Sequence, residues 1–467
     1  MCSGSLMVPG VNLMQIQSRR PRSVAIMVAL GALMPPFVLA DVIVGTSAPD
    51  VLEGTPEADT LDGKGGADTM MGLGGDDVYI VNQSDDEVLE SAGDGNDTIR
   101  SRVTYKLPIF VESLLLTGTD AINGTGNTLD NRLTGNDAAN NLNGGTGDDT
   151  MIGKGGNDIY TVDSNGDVVS EATNQGTDTV RSSVTHTLRP NVEKLTLTGS
   201  AAINGHGNEL NNAITGNAAN NVLFGEAGLD TLNGRDGNDR LIGGDGNDTL
   251  IGGLGEDTFQ FDAELNQSTN VDLITDFNPA DDVMRLEGAV FPTLFTAGTL
   301  QASAFRAAPA AGDEDDRILY DPATGFLRYD ADGTGATASV RFGRLAAGLA
   351  VTNADFVVQN PVAPPVDYAT QIQPIFTANC VSCHSGGTAP QGLKLDAQNS
   401  FANLVNVNSS EVPSLKRVKP SDPDNSYLVQ KIEGTAAVGA RMPRGLPPLS
   451  DAKISLIRLW ITAGALP

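Results

Sequence analysis

Beyond residue 2 this chain has two cysteines, and they sit three positions apart in the stretch Cys380-Val-Ser-Cys383-His384. Two thiols followed at once by an imidazole form the C-x-x-C-H pattern of covalent c-type haem attachment. In that chemistry Cys380 and Cys383 make thioethers and His384 is an axial ligand to the iron. A zinc ribbon would need further Cys or His, and none follows His384. A redox dithiol normally lies on a βαβ pattern without the adjacent histidine. Haem is therefore the preferred reading, and it calls for a second axial ligand. Met442, in "GARMPRGLPPLS", is the one methionine downstream. A thioether opposite histidine raises the reduction potential and suits electron transfer. The competing role for Met442 is core filler beside a five-coordinate iron.

The second candidate chemistry belongs to carboxylates. The net charge is −29, and residues 41–360 carry 17 Lys+Arg against 51 Asp+Glu. That excess argues against nucleic acid, whose phosphates need basic partners, and fits a protein that expects cations. The acids are periodic. From Gly45 the chain reads "GTSAPDVLE GTPEADTLD GKGGADTMM GLGGDDVYI". The nine-residue period returns from Gly144 and again from Gly225, and residues 243–251 match G-G-x-G-x-D-x-U-x throughout, U being a large apolar residue. Glycines let the backbone turn through positive φ. The last three residues make a short strand with U inward, so that Leu232, Leu241 and Leu250 would stack in a narrow aliphatic core. The sixth-position aspartates then stack as well, in columns of like charge. A hard cation held by carboxylate and carbonyl oxygens reverses that repulsion and couples metal to folding.

On these repeats the chain resembles the haemolysin-type, or RTX, calcium-binding family over most of residues 45–260. The resemblance implies an all-β parallel β-roll over 41–260 and assigns calcium ligands by position to Asp50, Asp59, Asp68, Asp77, Asp149, Asp158, Asp230, Asp239, Asp248 and Asp257. In "GNTLDNRLTGNDAANNLN" and "GNELNNAITGNAANNVLF" the aspartate is replaced by Asn131, Asn140, Asn212 and Asn221. An amide is a weaker ligand, so these turns are expected to hold by hydrogen bonds alone.

A longer repeat overlies the short one. Residues 74–118 recur as 155–199 at an offset of 81, or nine nonapeptides, which predicts two duplicated β-modules in the same register. His186 and His206 align with Tyr105 and Thr125 of the other copy and read as surface residues. Residues 261–360 alternate apolar and polar around turn residues, predicting β-hairpins at 271–288 and 316–335. This segment resembles the capping region of RTX exoproteins. A proline-rich linker, 361–367, leads to the tail.

In the tail, 368–467, a helix is expected before Cys380 and a capped helix at 450–465, with Ile454, Ile457 and Ile461 on one face beside Trp460. "PIFTANCVSCHSGG", "RMPRG" and "LSDAKISLIRLWITAGA" resemble the planctomycete-type cytochrome c domains. That resemblance implies a small all-α monohaem domain with Met442 as distal ligand. Arg441 and Arg444 then lie near the haem propionates or face an acidic partner.

At the start, Arg19, Arg20 and Arg22 precede an apolar run and the small-residue site Val38-Leu39-Ala40, as in a signal peptide over 1–40. Two prolines and a short apolar run argue against a membrane span. Together these readings describe an exported calcium-binding protein that moves single electrons to an unidentified redox partner, in the periplasm and then at the cell surface or outside. The alternative is a calcium-dependent surface or matrix protein whose haem is a sensor or structural element. Neither G-x-S-x-G nor H-E-x-x-H occurs, so enzymatic activity has little support.

Overall fold

The computed structural model describes residues 40–361, 366–387 and 389–466. The expected signal peptide lies outside them except for Ala40, as does most of the proline-rich linker.

Each pair of nonapeptides makes one 18-residue coil with two short parallel strands, one on each face of a solenoid. Val42–Val44 pairs with Thr60–Asp62, which pairs with Val78–Val81. On the other face Ala213–Thr215, Thr231–Asp236 and Thr249–Leu254 run in parallel register. The inward residue of each strand is fully buried. Ile214, Leu232, Leu250 and Ile274 stack on one face, and Leu223, Leu241, Phe259 and Met284 on the other. The two stacks meet as one aliphatic seam, so a core forms with few aromatics.

The glycines of a turn serve two purposes. Gly244 and Gly246 adopt φ of 94° and 151°, open to glycine at little cost. Gly243 does not; it is required because a Cβ there would collide with the Asp248 carboxylate.

The duplicated modules fit the solenoid with a difference from expectation. In the first, pairing steps of 20, 15 and 19 residues replace three regular steps of 18. The coil count is thus preserved. An offset of 81 residues, however, is four and a half coils. The first module builds Val78–Val81, Thr98–Ser101 and Ser113–Leu116 into one face, whereas the second builds Ile159–Val162, Thr179–Ser182 and Lys194–Leu197 into the opposite one. The nonapeptide register returns, but the side of the roll is exchanged.

Beyond residue 260 the solenoid continues. Asp272–Ile274 and Val283–Glu287, expected as one hairpin, belong to opposite faces and pair in parallel with Thr249–Leu254 and Thr258–Phe261. Turn residues between them mimic a hairpin loop in sequence, yet the regular coils offer two open parallel edges, which they extend. Ile318–Tyr320 and Phe326–Tyr329 do form an antiparallel pair, and Val340–Arg344 joins it to the solenoid edge.

The tail has its own core. A π-helical turn, Tyr368–Ile372, runs into α1 (Gln373–Asn379), followed by α2 (Ser400–Leu404), α3 (Tyr427–Glu433) and α4 (Asp451–Thr462). Ile457, Trp460 and Ile461 of α4 are buried as their spacing predicts, and Trp460 packs 4.9 Å from Tyr368 between ring centroids. Ser450 stands at the N-terminus of α4 but makes no side-chain cap hydrogen bond.

Truncating a stacked leucine tests this core. Leu241→Ala should cost about 2–5 kcal/mol, as for other fully buried leucines, read as a lower denaturant midpoint in calcium. A change below about 0.5 kcal/mol, the ordinary size of a surface effect, would mean that the stack does not hold the roll together.

Candidate functional site: aspartate columns and a thiol-lined cavity

Along each edge of the roll the aspartates form a ladder. One carboxylate oxygen accepts from the backbone N–H of the column residue one coil earlier. Asp248 Oδ1 accepts from Asp230 N (2.8 Å) and Asp257 Oδ1 from Asp239 N (2.9 Å). The same bond joins Asp59 to Asp77 and Asp149 to Asp167. The second oxygen is left over. In Asp68, Asp77, Asp149, Asp158, Asp230, Asp239, Asp248 and Asp257, Oδ2 is buried and has no hydrogen-bond partner. A buried carboxylate oxygen in that state is costly unless something cationic answers it.

Carbonyls converge on the same points. A methyl carbon placed on Gly225 would collide with both Asp230 Oδ2 and the Gly243 carbonyl, and one on Gly234 with Asp239 Oδ2 and the Gly252 carbonyl. Each brings a carboxylate oxygen and a carbonyl oxygen to one point, hard donors of the kind calcium takes.

Two of the ten candidate ligands differ. Asp50 Oδ2 accepts from Thr46 N (2.5 Å) and Thr46 Oγ1 (2.8 Å), and Asp59 Oδ2 from Thr55 N (2.6 Å) and Thr55 Oγ1 (2.9 Å). Threonine in the second repeat position answers the oxygen that is free elsewhere. Asp86 and Asp167, outside the nonapeptide pattern, are likewise capped by turn amides.

The asparagine turns show what the unanswered oxygens need. Asn140 and Asn221 occupy the same ladder, but their Nδ2 donates to the Ile122 and Ile203 carbonyls, each at 2.6 Å. Their Oδ1, beside Gly135 and Gly216 where Oδ2 stands in the aspartate turns, accepts from Asn136 N and Asn217 N, each at 2.8 Å, so no side-chain oxygen is left over.

Burial, ahead of every other cause, pushes six of the column acids up to values near neutrality. Asp77, Asp149, Asp158, Asp239 and Asp257 rise to about 6 and Asp230 to about 7. His186, expected at the surface, is partly buried; its Nε2 has no partner, and burial lowers its pKa. His206 stacks on Phe224 with ring centroids 4.2 Å apart.

In the tail, Cys380, Cys383, His384 and Met442 line one cavity of about 380 Å³. Cys380 follows the last turn of α1, and its N–H closes that helix on Phe376 O. His384 Nδ1 lies 3.2 Å from the Leu393 carbonyl, which leaves Nε2 as the available nitrogen. Leu395, Leu404, Leu428 and Ile432 give the cavity an apolar wall. Both cysteines are free; burial pushes the Cys380 thiol up to about 11, with Cys383 adding to the shift. Arg444 lines the cavity with Arg417, while Arg441 is turned to the Ile432 carbonyl.

Four stretches, residues 41–79, 125–160, 206–241 and 225–259, match the RTX calcium-binding nonapeptide repeat family. The chain therefore carries calcium-binding RTX repeats, wound as a parallel β-solenoid. Among solved structures, the extracellular lipase LipA from Serratia marcescens aligns at 10% identity over 62% of this chain and 67% of that one, with a TM-score of 0.20, too low to bear on function. No curated protein matches. Among the described residues no helix is long and apolar enough to cross a membrane.

The raised acids set a direction for pH. Without metal, the folded roll keeps protons that the unfolded chain, with aspartates near 3.8, releases. Their contribution to stability is therefore greatest below about pH 4 and is lost as pH rises through 6–7. Thermal scans in chelator should show the roll melting earlier at pH 7.5 than at pH 5, with saturating calcium removing the difference. A chelated roll that melts later at pH 7.5 would contradict this assignment.

Proposed function

We propose that this is an exported calcium-binding protein whose tail holds one c-type haem and serves one-electron transfer. The observation that supports it most is the convergence of four residues on one cavity. Met442 lies far along the chain from His384, yet it lines the same cavity as His384 and both thiols.

The residues present fit the group. Cys380 and Cys383 would anchor it, His384 Nε2 and the Met442 thioether would ligate its iron, and the bound group would supply reversible ferric–ferrous chemistry. The Leu393 carbonyl fixes the imidazole ring and its tautomer, as the outer partner of a metal-binding histidine does. Burial raises the Cys380 thiol and so favours its protonated, less reactive form. The leucines would give the group an apolar wall, which favours a low reorganisation cost. Arg417, held by the Gln391 and Asn403 carbonyls, and Arg444 offer positive charge to propionate carboxylates.

In this reading the roll is the calcium-dependent part. The eight aspartates with a free Oδ2 are its principal ligands, and Asp50 and Asp59 act mainly as caps through their threonines. Extracellular calcium modules bind at roughly 10⁻⁴–10⁻³ M, so such a roll stays loose in a calcium-poor cytosol and sets after export. The acidic surface leaves nucleic acid without a footing.

Protein matured with a c-type haem system should keep its haem on a denaturing gel, and Cys380→Ala/Cys383→Ala should lose it. Met442→Ala should bind CO when reduced, whereas the parent should not. Haem released from the parent by denaturation, or CO bound equally by both proteins, would overturn the electron-transfer reading.

A further inference from the structure

Each duplicated module places a glutamate at a special point of the roll. Glu90 stands one coil, 18 residues, after Gly72, and Glu171 stands 18 after Gly153. In the regular coils that position is the first glycine of the next turn, whose carbonyl meets the aspartate: Gly72 after Gly54, Gly243 after Gly225, Gly252 after Gly234. In the modules the glutamate side chain reaches the aspartate in place of that carbonyl.

The result is a pair of carboxylate triads, Asp77 with Glu90 and Asp97, and Asp158 with Glu171 and Asp178. In each, one oxygen from every member lies within 4.8 Å of the other two. The bonds within them are the same in both copies. Asp97 Oδ1 accepts from Asp77 N (2.8 Å) and Asp178 Oδ1 from Asp158 N (2.7 Å). The Tyr79 and Tyr160 hydroxyls donate to Oε1 of Glu90 and Glu171. After these bonds Asp77 Oδ2, Glu90 Oε2, Asp158 Oδ2 and Glu171 Oε2 are still buried without partners, and Asp77 and Asp158 are each 1% exposed. The charged groups acting on the triads are themselves acids, among them Asp94, Glu112 and Glu193.

We propose that each triad is a cation site of its own kind, taking a calcium-sized divalent ion, and that these two sites are the tightest on the roll. Three oxygens no more than 4.8 Å apart share a centre about 2.8 Å or less from each, close to the 2.3–2.6 Å of calcium and loose for magnesium. An all-oxygen set disfavours zinc and copper. Replacing a carbonyl by a carboxylate raises the ligand charge, and affinity in such loops follows charge. Glu90, Asp97, Glu171 and Asp178 all lie outside the stretches that match the repeat family. Because the modules sit on opposite faces, the two ions would pin both edges of the solenoid.

The inference rests on calcium binding by the turns, since Asp77 and Asp158 belong to both, and the test separates the two. Calcium is titrated calorimetrically into the full chain, with Tb³⁺ as a luminescent probe excited through tyrosine. Glu90→Gln/Glu171→Gln should lose or weaken, by on the order of tenfold or more, the two equivalents that fill first, and should leave the later ones in place. Tyr79→Phe/Tyr160→Phe should keep those equivalents and lose at least half of the tyrosine-sensitised terbium emission. If the parent binds calcium and the glutamine variant binds it with the same stoichiometry and affinities, the triads hold protons and the proposal falls alone. If the parent binds no calcium, it falls together with the turn sites. Should the glutamine variant not fold, unchanged emission from the phenylalanine variant overturns the proposal by itself.

Discussion

Like charges stacked one strand apart are the constraint on which this protein turns. Strands of a sheet are about 4.8 Å apart, and at that separation two carboxylates repel by about 3.5 kcal/mol at an effective dielectric of 20. The columns repeat that contact coil after coil. Backbone N–H groups answer one oxygen of each column aspartate, and in eight of them, from Asp68 to Asp257, the other oxygen is buried without a partner. Everything else in the roll is local and short: strands of two to six residues with few inward side chains each. No single element is long enough to absorb the repulsion, so it is answered at every turn or the coils separate.

The chain answers it in four ways. Threonine hydroxyls cap Asp50 and Asp59. Asparagine removes the charge and supplies its own donor in Asn131, Asn140, Asn212 and Asn221, which leaves those four turns with no carboxylate to neutralise. Glycine carbonyls gather beside Asp230 and Asp239 where a cation is called for. In the modules glutamates bring a further carboxylate to the aspartate, an arrangement that only a cation or protons can balance. Metal-dependent and metal-independent coils therefore alternate along one solenoid. Nearest-neighbour coupling is the rule in such repeats, so the asparagine coils give the calcium-dependent ones a preformed edge to grow from.

Much of this is legible in the sequence, because a solenoid turns periodicity directly into neighbours. The period of nine fixes the strands, their inward residues and the aspartate ladder. What escapes is whatever depends on counting coils and not repeats. An odd multiple of nine moves the second module to the opposite face, although its sequence register is unchanged. Glu90 and Glu171 look like ordinary turn acids until they are set 18 residues after Gly72 and Gly153; their recurrence at the 81-residue offset was the available signal. Residues 271–288 carry hairpin-like turn residues, yet open parallel edges claimed both strands. In the tail, C-x-x-C-H is local and readable, whereas the return of Met442 to the same cavity depends on the packing of α3 and the loop after it.

The central claim is that the roll is held shut by cations and the tail is not. Amide hydrogen exchange, followed by peptide mass spectrometry on the full chain with calcium and with chelator, tests it most directly. Peptides from residues 225–260 should be protected in calcium and exchange at least a hundredfold faster in chelator. Those from the asparagine coils, 126–143 and 207–224, should change less, and those from α1 and α4 hardly at all. Equal protection of residues 225–260 in both conditions would show that the buried carboxylates are satisfied without metal, and would contradict the account.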